Sequence, residues 1–168
     1  QTVYYIPRPG EDMAHVEVIA PALERLLDIR GTLDQPVHDL RFEGLTFAHA
    51  TWLEPGETGL IDIQANFTMG QENLLLRTGN TRYGPQAAYL SRPYGDAAKS
   101  PSNIVLRAAR AVRFERCHFT ALGSGAVDIE HGSQGNTISG CAFDDVSGSA
   151  IQIGDVIDHH PSDARAVV

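Results

Sequence analysis

A chain of 168 residues supplies one domain, 1–168, and enough apolar material for a sizeable core. Its net charge of −8 excludes the basic face that nucleic acids require, and no apolar run is long enough to span a bilayer. Neither a nucleic-acid nor a membrane partner is expected. In chain order, Val3-Tyr-Tyr-Ile6 is a short β run closed by the turn residues Pro7-Arg-Pro-Gly10. Val16-Glu-Val-Ile19 alternates and ends at Pro21. Ala22 to Ile29 has helix propensity, but Leu27-Asp28-Ile29 has an apolar-polar-apolar form that favours a strand at Leu26 to Arg30.

Leu40-Arg-Phe42-Glu-Gly-Leu45-Thr-Phe47 follows, and Val112-Arg-Phe114-Glu-Arg-Cys117-His-Phe119 matches it residue by residue. Arg41, Glu43, Arg113 and Glu115 are the outward members of these alternating strands. Gly59-Leu-Ile61-Asp62-Ile63 parallels Ala126-Val127-Asp128-Ile129. The pattern breaks over residues 64–102, a stretch too long for a simple turn and too aromatic for disorder. It reads as an insertion packed over one face, with Asn73 to Arg77 as a strand or short helix inside it. Asn103-Ile-Val-Leu106 returns to the pattern, one rung before Val127-Asp-Ile129.

From Val112 to Asp155 the chain repeats itself. Cys117 matches Cys141, Phe119 matches Phe143, Val127 matches Ile151 and Ile129 matches Ile153, each at an offset of about 24 residues. Each copy holds short strands broken by Gly/Ser turns and no amphipathic helix. Such a unit cannot bury its own apolar face and must stack on its neighbours. The expected fold is all-β: a parallel β-helix, a solenoid of ~24-residue coils. The two cysteines then occupy equivalent places on successive coils, where buried thiols are favoured over a bridge. Asn136 is expected in a turn, its amide bonding neighbouring backbone from rung to rung. Nothing after Asp155 resembles a polar capping coil, so further C-terminal coils of the same protein are an expected partner.

In an Ile-x-Ile strand of such a coil the two apolar residues point inward and the middle one outward. Stacked rungs then make an outward column of Asp28, Asp62, Val105, Asp128 and Gln152, with Gln64, Glu130 and Gly154 in a second column. Asp128 and Glu130 would stand about 7 Å apart along one strand. A carboxylate pair about 5 to 9.5 Å apart can serve glycoside hydrolysis, and one carboxyl crowded by another has its pKa raised, as a general acid requires. Solvated surface is the plainer reading of these side chains. A calcium site formed by Asp62, Asp128, Glu130 and Asp155 is an alternative; no other cofactor is expected. Asp144-Asp145 follows Phe143, and adjacent strand residues point to opposite faces, so one of the two can join a site. His131 is a candidate sugar contact. Trp52, Tyr89, Tyr94 and Arg92 are candidates for lining a groove. The sequence has no glycine-rich phosphate loop, no serine nucleophile elbow and no CxxC.

Three phrases carry a family resemblance: Tyr4-Tyr-Ile-Pro-Arg-Pro-Gly-Glu-Asp12, Leu40-Arg-Phe-Glu-Gly-Leu-Thr-Phe47 and Gly148-Ser-Ala-Ile-Gln-Ile-Gly-Asp155. The chain resembles the N-terminal part of secreted bacterial right-handed parallel β-helix proteins, in the glycoside hydrolase group that includes an α-L-fucosidase and a xylanase. The resemblance implies an oligo- or polysaccharide substrate and two carboxylates acting as acid/base and nucleophile or base. Asp128, Glu130 and Asp145 are the candidates here, and Asp62, Gln152 and Asp155 would contact the sugar. A polysaccharide lyase is one rival, disfavoured because the outward columns hold almost no lysine. A non-catalytic glycan-binding or structural module is the other.

Overall fold

The computed structural model describes residues 4–53, 67–69, 97–99, 101–154 and 161–168. Four short strands make the first pass: β1 (Leu27–Arg30), β2 (Val37–His38), β3 (Arg41–Glu43) and β4 (Thr46–Ala50). Two strands of the insertion, β5 (Phe67–Met69) and β6 (Ala97–Lys99), pair antiparallel with each other. The second pass is β7 (Ser102–Arg107), β8 (Ala109–Arg110), β9 (Arg113–Glu115) and β10 (His118–Leu122). The third is β11 (Gly125–Glu130), β12 (Thr137–Ser139) and β13 (Ala142–Val146), followed by β14 (Ile151–Ile153). A single 3-10 turn, Ala164–Ala166, is the one helical element among the described residues.

Apart from the β5–β6 pair, every pairing among the described strands is parallel. One sheet runs β1-β7-β11-β14, a second β12-β9-β3 and a third β13-β10-β4, with β2 beside β8. Successive strands of a sheet come from successive passes, as a 24-residue repeat requires: Val127 pairs with Ile151, Phe119 with Phe143 and Phe114 with Ile138. The protein is thus nearly all β, in stacked parallel sheets.

The inward residues form one core. Phe47, Phe119 and Phe143 stack face to face, with centroids 5.2 and 4.6 Å apart. Phe42 stacks on Phe114 at 4.9 Å, and Phe114 meets Phe119 edge-on at 5.8 Å. Both arrangements suit the ring quadrupole when the rings are offset. Cys117 and Cys141 are free thiols beside this ladder. Each sits one rung above a phenylalanine carbonyl that its Sγ reaches, Phe42 O for Cys117 and Phe114 O for Cys141.

Bends of the chain, two sets between strands and one inside β4, β10 and β13, depend on single left-handed residues in register. Asp39, Ala111 and Gly135 share one corner; Gly44, Arg116 and Gly140 another; His49, Ala121 and Asp145 a third, all with φ between 50° and 65°. A non-glycine residue in this region costs about 1–2 kcal/mol. Stacked corner backbones offset it by hydrogen bonding: Asp39 N donates to Arg110 O, Ala111 N to Gln134 O and Arg116 N to Ser139 O. Side chains complete the same job. Asn136 Oδ1 accepts from Val112 N at 2.9 Å and its Nδ2 donates to Ala109 O at 3.0 Å, the rung-to-rung role expected of it.

Several sequence expectations fail here. Val3–Ile6 and Val16–Ile19 form no strand in their described residues, because residues 4–23 lie mostly exposed and have no rung to pair with. The strand favoured at Leu26 to Arg30 over a helix is, by contrast, observed as β1. The rung expected at Gly59–Ile63 lies outside the described residues; β1 pairs directly with β7, Asp28 beside Val105. The matching strands β3 and β9 are immediate neighbours although 72 residues apart in sequence. Asn73–Arg77 lies outside the described residues.

Candidate functional site

The first sheet positions the candidate carboxylates. Asp28, Val105, Asp128 and Gln152 are in register on its outward face, and Arg30, Arg107 and Glu130 form the next column. That part of the expected column is observed. Its exposure is not. Val105, Asp128 and Gln152 are buried, whereas Asp28 is exposed.

The insertion accounts for the burial of Asp128. Lys99, the last residue of β6, lays its ammonium over the face and donates to Asp128 Oδ1 and to the carbonyl of Gly154. Glu130 Oε2 is 3.6 Å from the same nitrogen, and Arg107 Nη1 donates to Glu130 Oε1 at 3.1 Å. The side chains of Lys99, Asp128 and Glu130 are 13, 6 and 13% exposed, so the charges compensate one another away from bulk water. The two carboxylates are therefore not crowded against each other in the way the sequence suggested; an ammonium stands between them. Sequence reasoning missed Lys99, because no periodicity links residues of an insertion to a rung.

Gln152 is not a surface contact. It is fully buried, and its Nε2 donates to Ser102 Oγ at 2.9 Å, two rungs away. Gly125 lies between them: a Cβ there would stand 2.5 Å from Ser102 Oγ and 2.6 Å from Gln152 Nε2. The glycine opens the gap that this bond crosses.

Asp145 belongs to a different sheet from Asp128. Its φ of 51° breaks the alternation of β13, so Asp144 and Asp145 are both exposed rather than facing opposite sides. Asp144 binds His118 Nε2 and accepts from Thr120 Oγ1 at 2.8 Å. These two bonds, the histidine's first, hold its carboxyl below the ordinary aspartate value. His131 sits at the corner after β11 with φ of 39°, and its carbonyl accepts from Ala108 N. Trp52 is half-buried just past β4. Asp62, Gln64, Tyr89, Arg92, Tyr94 and Asp155 lie outside the described residues.

Among the described residues no three His, Cys, Asp or Glu side chains converge on a metal-sized site. The place a cation would take between Asp128 and Glu130 holds the Lys99 ammonium. No described helix is long and apolar enough to cross a membrane.

Comparison with known proteins adds one finding. No family model and no curated protein matches this chain. A solved structure described as a glycoside hydrolase matches with a TM-score of 0.66 and 33% sequence identity over 90% of this chain. The chain is glycoside hydrolase-like. It spans about a quarter of that protein's length, 25%.

Proposed function

We propose that this chain is a segment of a secreted bacterial glycoside hydrolase with a right-handed parallel β-helix fold, of the group that includes an α-L-fucosidase and a xylanase. The observation that carries the reading is the pair Asp128 and Glu130, two residues apart on one strand and facing the same side of a rigid sheet. Two carboxyl groups on one face of one strand can supply the acid/base pair of glycoside hydrolysis, here with the Lys99 ammonium between them. Their burial beneath Lys99 supports electrostatic work in a water-poor site. The likeness to a glycoside hydrolase over 90% of the chain supports the substrate class, a glycan. Further coils of the same protein belong to this proposal: the inward Ile151 and Ile153 of the last rung are 39 and 67% exposed, and another rung would cover them. Asp62, Tyr89, Arg92, Tyr94 and Asp155 remain proposed sugar contacts. Asp145 is left out of the pair because it sits in another sheet.

A panel of aryl glycosides and oligosaccharides presented to the full-length protein tests the reading. Hydrolysis that falls at least ~100-fold in both Asp128→Asn and Glu130→Gln, with folding intact, supports it. Wild-type turnover in both variants removes the pair from the site.

One observation favours a second reading, a polysaccharide lyase. Lys99 supplies the amine beside the carboxylates that the outward columns lacked in sequence. A lyase needs such a base next to a uronate, and its product is unsaturated. Absorbance of an unsaturated product, lost in Lys99→Met, would select this reading over hydrolysis.

A further inference from the structure

The outward face of the second sheet carries an ion-pair ladder. Arg41 pairs in register with Arg113, and Glu43 with Glu115. Like charges directly opposite repel, so the contacts cross diagonally. Arg41 holds Glu115 at 2.6 Å and Glu43 at 2.8 Å, and Arg116 also pairs with Glu43. Arg113 is left over. Its nearest carboxylate among the described residues, Glu115, is 4.0 Å away, and its guanidinium makes no hydrogen bond to a described residue. Its side chain is 59% exposed.

This guanidinium lines a cavity of about 310 Å³ together with Asp39, Leu40, Arg41, Ala111 and Glu115. That volume is at the lower end of small-ligand sites. Leu40 and Ala111 give it an apolar wall. Asp39 is fixed by its left-handed corner, and His38 Nδ1 engages its Oδ2 at 2.6 Å. The cavity therefore joins an apolar patch, hydroxyl-accepting carboxylates and an exposed planar fork with only a long contact to Glu115, on rigid backbone.

We propose that this cavity is a binding subsite for a uronate-bearing oligosaccharide, separate from the Asp128–Glu130 face. The sugar carboxylate would take a bidentate bond from Arg113, the geometry a guanidinium matches best. Asp39 would accept ring hydroxyls, and the apolar face of the ring would rest on Leu40. A carboxylate ligand also relieves the like-charge contact of Arg113 with Arg41. The proposal rests on the glycan part of the reading above and not on hydrolysis.

Calorimetric or NMR titration of the full chain tests it, with tri-galacturonate, neutral galactotriose and inorganic sulfate as separate probes. The expected result is that tri-galacturonate binds and that Arg113→Gln weakens it about tenfold or more, with Arg113→Lys intermediate. Amide shifts at Leu40, Ala111 and Arg113 locate the site. Binding is read without turnover, so a failure of the hydrolase reading is seen separately. Three outcomes overturn the proposal: no tri-galacturonate binding, binding unaffected by Arg113→Gln, or binding of galactotriose or sulfate as tight as that of the uronate.

Discussion

Lys99 and Asp128, 29 residues apart in sequence, form an ion pair that fastens the end of the insertion to the third rung of the first sheet. Both side chains are nearly buried. The pair fixes where the insertion returns to the sheets and what environment the candidate carboxylates have.

Removing the lysine should therefore cost more than a surface pair would. Lys99→Met leaves the buried carboxylates of Asp128 and Glu130 without their ammonium, and a loss of about 3 kcal/mol is expected. In an Asp128→Asn background the loss should shrink, because one buried charge is gone. A double-mutant cycle in urea checks this, and equal losses in both backgrounds would refute the coupling.

The phenylalanine ladder predicts a gradient of cost. Phe119 is fully buried between Phe47 and Phe143. Phe119→Ala should destabilise by about 3–5 kcal/mol. Phe143 is only partly buried on the last rung, so Phe143→Ala should cost clearly less. Denaturant midpoints of the two variants measure the difference.

Gly31 is a site where no side chain fits. A Cβ there would lie 2.6 Å from Ala108 O, 2.6 Å from Val37 N and 2.8 Å from Pro36 Cα, all backbone. Gly31→Ala should cost about 1–3 kcal/mol, since the first corner must open to admit it. Gly135 is the contrast: a Cβ there meets nothing within 4 Å, and only its φ of 65° resists alanine. The thermal midpoints of Gly31→Ala and Gly135→Ala should fall in that order.

Acid sensitivity should depend in part on the Asp144 cluster. Its folded pKa is depressed below the unfolded 3.8, first by His118 and then by Thr120. A depressed carboxylate contributes stability that is present above the unfolded value and is lost as pH falls through the folded one. His118→Ala should therefore flatten the fall in Tm between about pH 5 and about pH 2, without the same change above that window. An unchanged pH dependence would show that the dyad carries no linkage.

The outward register of Asp28, Val105 and Asp128 was legible because side-chain alternation in a strand depends only on period. The match of Leu40–Phe47 to Val112–Phe119 was legible for the same reason. Left-handed Ala108, Ala111 and Ala121 gave no sign, since alanine has no preference for that region and only the stacked rungs hold it there. The opposite facing expected of Asp144 and Asp145 failed, because alternation stops at a left-handed residue.

The sequence by itself determined the repeat, the inward phenylalanines and the face on which Asp128 and Glu130 stand, because each follows from local periodicity. Only the tertiary structure decided that Lys99 lies between those carboxylates, that Gln152 is buried against Ser102, and that Arg113 keeps only a long, 4.0 Å contact to a carboxylate among the described residues. These depend on contacts between distant segments, and no local pattern encodes them.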